Sequence, residues 1–151
     1  MKRLRTVGPV LLAAAILAGC ASTPDGTSDQ SRQVMGIATP LTDKPGDPVA
    51  GKKLANTRSK GNCVACHNLP DAVLAGNAGP DLVEAMNNME RSTAWIRQKI
   101  VDPKVDNPDT LMFTFYSNEG KKQVRNDWIG KRVLEAQEVE DIIAYLLTLR
   151  Q

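Results

Sequence analysis

Cys63-Val64-Ala65-Cys66-His67 decides how the rest of this chain is read. The pattern C-x-x-C-H is the mark of covalent c-type haem attachment. The spacing follows from the chemistry. Two thiols three residues apart can each add to a vinyl group of one porphyrin, and the next residue then brings an imidazole nitrogen to the iron. A thioredoxin-like redox pair would need a βαβ setting, which does not surround this stretch. A closed zinc site would need four ligands, and beyond the motif the chain offers only Cys20, because His67 is its single histidine. Cys63, Cys66 and His67 are therefore read as the attachment points and the proximal ligand of one haem.

Composition agrees with this reading. Two each of Phe, Trp and Tyr in 151 residues are few for a packed core, and a flat apolar cofactor makes up the deficit. Residues 1–19 read as a secretory signal with a basic start, an apolar run and small residues at the end. The apolar run is short for a bilayer span. Leu17-Ala18-Gly19-Cys20 resembles a bacterial lipobox, so Cys20 is expected to be acylated after cleavage and to anchor the chain, which would work in the periplasm. Without Lys2, Arg3 and Arg5 the mature part carries 16 basic against 17 acidic side chains. Nothing points to nucleic acid. Residues 20–47, rich in Ser, Thr, Asp, Gly and Pro, read as a flexible tether, and the folded domain is placed at 48–151.

Within that domain the periodicity predicts helices over 49–58, 81–89, 92–101 and 136–149, an all-α arrangement. Gly61 is read as ending the first helix. Val139, Ile142, Ile143, Leu146 and Leu149 form the apolar stripe of the last one. That stripe and the missing side chain at Gly51 predict that the last helix crosses the first at Gly51, with Ile142 and Tyr145 packed against it. Residues 117–131 are left open between a turn and a short hairpin. A haem-ligating histidine usually donates its second ring N–H to an oxygen, and the Pro80 carbonyl, in Gly79-Pro80, is assigned that role. For the far side of the iron the methionines to weigh are Met86, Met89 and Met112. The first two fall on a helical stretch and are read as core packing. Met112, in the loop before the last helix, is the reading taken, with a lysine such as Lys104 or an open site as the alternatives.

The order of short helix, C-x-x-C-H, Gly-Pro, methionine loop and amphipathic terminal helix resembles the class I cytochromes c. A narrower resemblance lies in Trp95-Ile96-Arg97-Gln98-Lys99-Ile100-Val101-Asp102-Pro103, in Asn107-Pro108-Asp109-Thr110-Leu111-Met112, in Phe115-Tyr116 and in the stretch from Ala136 to Leu149. These are similar to the SoxX family, the small monohaem subunits of SoxAX complexes in thiosulfate-oxidising bacteria. The resemblance implies one haem c with His67 and Met112 as axial ligands and a SoxA-like haem subunit as heterodimer partner. It also implies a downstream cytochrome as electron acceptor. In that family the large subunit joins thiosulfate oxidatively to a carrier-protein cysteine, and the small one takes up the electrons. Phe113 stands where the family commonly has proline after the methionine. With Cys63 and Cys66 assigned to thioethers, Cys20 to lipid and His67 to iron, no free thiol or spare imidazole is left as nucleophile or base. The chain is thus expected to transfer electrons and not to be catalytic alone. A free lipid-anchored electron shuttle and a haem sensor or peroxidase with an open iron site are the rival readings.

Overall fold

A computed structural model describes residues 36–70, 72–88, 91–119 and 124–151. Its regular structure is helical: α1 Pro48–Asn56, α2 Leu82–Asn88, α3 Thr93–Val101 and α4 Ala136–Leu147. Single 3₁₀ turns at Cys63–Ala65, Pro103–Val105 and Asn126–Trp128 lie in the connections, and no strand occurs among the described residues. The stretch 117–131 thus holds a 3₁₀ turn in its described part. The signal, Cys20 and Met89 lie outside the described residues.

The helix ends have local causes. Asp47 caps α1, accepting the Val49 and Ala50 N–H groups at 2.8 and 3.3 Å, and Pro48 takes the first helical position, where no N–H is missed. Ser92 Oγ accepts the Trp95 N–H at 3.1 Å to start α3, and Asp102 before Pro103 stops it. At the head of α4 the Glu138 carboxylate accepts the Glu135 N–H at 2.8 Å. The first helix ends earlier than the sequence predicts. Thr57, in extended conformation, closes α1. Gly61 serves a different purpose: a Cβ there would stand 3.0 Å from the Leu54 carbonyl oxygen and 3.3 Å from Ile142 Cδ1.

The core forms where the stripe of α4 meets the other helices. Val139, Ile142, Ile143 and Leu146 are buried together with Ala55, Met86, Ile96 and Ile100. Each large aliphatic buried this way contributes roughly 1.5–3 kcal/mol. Met86 is thereby a packing residue. The α1–α4 crossing falls at Gly51, where an added Cβ would lie 1.9 Å from the Asp141 carbonyl oxygen and 2.9 Å from the Ile142 nitrogen. Only a bare backbone lets the two helices approach this closely.

Residues 36–47, which the sequence reading gives to the tether, are packed against α3 and α4. Gly36 abuts Ala94 and Gly46 abuts the Glu140 carbonyl so tightly that a Cβ would fall 2.1 and 2.2 Å from backbone atoms there. The Leu41 N–H donates to Glu140 Oε1 at 2.9 Å, Thr42 Oγ1 to Gln137 Oε1 at 2.8 Å, and the Asp47 N–H to Asp141 Oδ1 at 2.9 Å. Arg97 Nη1 donates to the Ile37 carbonyl at 2.6 Å. The polar, Gly- and Pro-containing composition reads as unstructured because the groups that hold this strap, Arg97, Gln137, Glu140 and Asp141, lie far along the chain, as does the core on which Ile37 and Leu41 pack. The packed unit therefore starts ahead of Pro48.

Candidate haem site

The motif is presented by a backbone device. Asn62 takes a left-handed conformation at φ 46°, the one positive-φ residue other than glycine among those described, and turns the chain into the Cys63–Ala65 3₁₀ turn. The Cys63 carbonyl then accepts two N–H groups, from Cys66 at 3.2 Å and from His67 at 2.9 Å. This wraps both sulfurs and the imidazole around one turn. Neither cysteine is in a disulfide, and both are half-buried. Burial pushes the Cys63 thiol up to about 11, against a smaller opposing pull from its own backbone hydrogen bond.

His67 is held from behind. Its Nδ1 lies 2.8 Å from the Pro80 carbonyl oxygen. A carbonyl can only accept, so Nδ1 is the donor of this bond and Nε2 is the ring nitrogen left to face away from it. Gly79 packs flat against the ring, where a Cβ would lie 2.3 Å from Cε1 and 2.6 Å from Nδ1. The loop that supplies Gly79 and Pro80 is laced to the motif by Gly76 N–H to Val64 O at 2.9 Å, Gly79 N–H to Cys66 O at 2.7 Å and Leu82 N–H to Asn68 O at 3.0 Å. Asn68 Nδ2 also donates to Asp81, whose other oxygen accepts the Glu84 N–H at the start of α2. Those two bonds, the Glu84 one first, hold the Asp81 carboxyl below its ordinary value.

Met112 comes from another part of the chain, half-buried in the bend that follows the Pro103–Val105 turn. The Met112 N–H donates to Thr110 Oγ1 at 3.2 Å. The base of this loop is closed by Asp102 Oδ1, which accepts the Lys104 N–H and Thr114 Oγ1, each at 3.0 Å. The Lys104 ammonium, the lysine alternative for the iron, donates to the Thr110 carbonyl at 2.8 Å. Leu111 and Phe113 on either side of Met112 are 83% and 68% exposed. Cys63, Cys66, His67 and Pro80 are thus brought together by one turn and one loop, and Met112 stands on the separate α3–α4 connection. Asn62 and the Asn68–Asp81 bond carry no signal that the sequence reading uses, and Gly79 enters that reading only as part of Gly79-Pro80, not as the residue that makes room for the imidazole. Among the described residues no three His, Cys, Asp or Glu side chains are gathered to hold a bare metal ion.

The cytochrome c family model matches residues 48–150. A solved structure, the crystal structure of SoxXA from P. pantotrophus, is similar over 77% of this chain and 90% of its own, at 31% identity and a TM-score of 0.67. The chain belongs to the SoxX-type class I cytochromes c. None of the curated proteins matches it. A cytochrome c of this kind carries covalently bound haem c with its iron, and its work is electron transfer. The residues present fit that group. Two unpaired thiols stand on one turn with an imidazole whose Nδ1 is already satisfied, and Gly79 leaves the ring its place. The described helices include none long and apolar enough to cross a membrane.

Proposed function

We propose that this cytochrome is the small subunit of a SoxAX-type complex and relays electrons released during thiosulfate oxidation. In this reading Cys63 and Cys66 would hold the porphyrin through thioethers. His67 Nε2, oriented by the Pro80 carbonyl, and the Met112 thioether would be the ligands to its iron. When bound, the haem supplies a one-electron redox couple. A histidine–methionine set favours the reduced state and suits an acceptor. The Nδ1–Pro80 bond raises the basicity of the ligating nitrogen and keeps the ring from turning. Joining a carrier-protein thiolate to thiosulfate releases two electrons, so each conjugation by a SoxA-like haem subunit calls for two successive reductions of this chain. The electrons then pass to a downstream cytochrome. Processing at Cys20 with acylation would hold the protein to a membrane on the periplasmic side, since several acyl chains give stable anchoring.

The observation that carries this reading is the likeness to SoxXA across 90% of that chain. Affinity purification from cells grown on thiosulfate tests it. A larger haem protein is expected to co-purify, and the pair, but not this chain alone, is expected to conjugate thiosulfate to a carrier cysteine. Recovery of a lone cytochrome, or conjugation by the isolated chain, overturns it.

A further inference from the structure

Between the end of α3 and Thr114 the regular structure is the single Pro103–Val105 turn. Apolar burial does little for the rest of this loop. Val105, Leu111 and Phe113 are exposed, and none of them belongs to the residues packed on the core. Phe113 keeps an edge contact with Phe115, ring centroids 6.4 Å apart. What holds Met112 in place is therefore largely polar. The Lys99–Asp106 ion pair ties the outgoing limb of the loop to α3, and Asp102 Oδ1 accepts Thr114 Oγ1 at its base. Lys104 joins the two limbs, its ammonium donating to the Thr110 carbonyl at 2.8 Å. Thr110 passes that tie on, because its hydroxyl oxygen accepts the Met112 N–H at 3.2 Å.

We propose that Lys104 is a positioning residue for the sixth ligand, latching the Met112 loop shut through Thr110. The proposal rests on the reading of Met112 as iron ligand and goes beyond it by naming what keeps the thioether in place. A segment with few buried apolar contacts and exposed hydrogen bonds is one that opens locally. In such a loop a single bond between the limbs decides how often it opens. A net hydrogen bond of ordinary strength shifts that balance about fivefold. An added ligand can take the iron only from the open form, so its apparent affinity follows the open population. Loss of the latch should therefore tighten the binding of an outside ligand by the same factor and leave the packed helices as they are, since Lys104 itself is exposed.

The test titrates the purified, oxidised holoprotein with imidazole and follows the loss of the near-infrared sulfur-to-iron band. Lys104→Met should bind imidazole about fivefold more tightly than the parent. Thr110→Val, which keeps the carbonyl and loses the acceptor of the Met112 N–H, should move the same way. Lys104→Arg keeps a charged donor and should stay near the parent. Lys44→Met removes the same charge from the exposed part of the 36–47 strap and should change nothing. The denaturation midpoint of Lys104→Met should match the parent's, which separates a latch from a general loosening. A Lys104→Met protein that binds imidazole within about twofold of the parent overturns the proposal. So does a tightening that Lys44→Met reproduces, or one that comes only with a lowered midpoint. A parent that lacks the band overturns the Met112 reading itself, a result visible before any variant is made.

Discussion

Arg97 and Glu140 form a two-pronged ion pair inside the domain, with Nε 2.7 Å from Oε1 and Nη2 2.9 Å from Oε2. The same guanidinium holds the Ile37 carbonyl and the same carboxylate the Leu41 N–H. One pair thus ties α3, α4 and the 36–47 strap together. Removing one partner leaves a buried, uncompensated charge, at a cost of roughly 3–5 kcal/mol. Arg97→Met is expected to lower the stability by about that much and to open 36–47 to protease. Arg97→Lys should recover little, because an ammonium cannot reproduce the fork. Denaturant titration and limited proteolysis check both.

The pair also gives stability a pH dependence of known sign. Burial alone would raise the Glu140 carboxyl, but the hydrogen bonds from Arg97 and the Leu41 N–H, with the charge of Arg97, outweigh it and hold the group below its ordinary value of 4.5. A folded value below the unfolded one means the stabilisation is complete above the unfolded value and lost as pH falls through the folded one. Thermal unfolding should therefore show Tm dropping as the pH is taken below that ordinary value of 4.5. Glu140→Gln should start lower and show a shallower fall.

Gly51 and Gly130 should answer alanine differently. At Gly51 the new methyl would lie 1.9 Å from the Asp141 carbonyl oxygen, so α1 and α4 must separate, at about 1–3 kcal/mol or more. At Gly130 nothing lies within 4 Å, and the cost is that of φ +73° alone, on the order of 1 kcal/mol. Denaturation midpoints should rank Gly51→Ala well below Gly130→Ala.

Cofactor attachment and ring placement should separate by mutation. Replacing both Cys63 and Cys66 by Ser should abolish covalent haem and leave a poorly folded chain, read by haem staining after denaturing electrophoresis. Gly79→Ala should keep the covalent haem but shift the absorption spectrum, since a methyl 2.3 Å from His67 Cε1 must displace the imidazole.

Cys20→Ser should abolish incorporation of labelled fatty acid and release the protein from the membrane fraction. A wild type that takes up no label would make it a soluble periplasmic protein.

What the sequence makes legible here is what acts locally. The haem motif is set by covalent spacing, and α4 by a stripe that repeats at helical period. The crossing at Gly51 could be foreseen because a residue without Cβ faced an apolar stripe. The strap could not. Its partners Arg97 and Glu140 lie far along the chain from Ile37 and Leu41, and its composition is that of a linker. Gly61 looked like a helix stop, yet Thr57 ends α1 and Gly61 makes room for Leu54 and Ile142. The left-handed turn at Asn62 had no signal beyond a residue type that tolerates it. The Nδ1–Pro80 pairing at 2.8 Å was approachable from the sequence because a ligating histidine needs an acceptor and Gly79-Pro80 offers one nearby.

The central claim is that Met112 completes the iron site opposite His67, so that this chain transfers electrons and does no sulfur chemistry itself. Near-infrared absorption of the oxidised protein tests it most directly, through the weak sulfur-to-iron band that a thioether ligand produces. Met112→Ala should lose that band and lower the reduction potential, while Met86→Ala, which empties a core position, should keep both. A band that survives Met112→Ala, or one absent from the parent protein, would contradict the account.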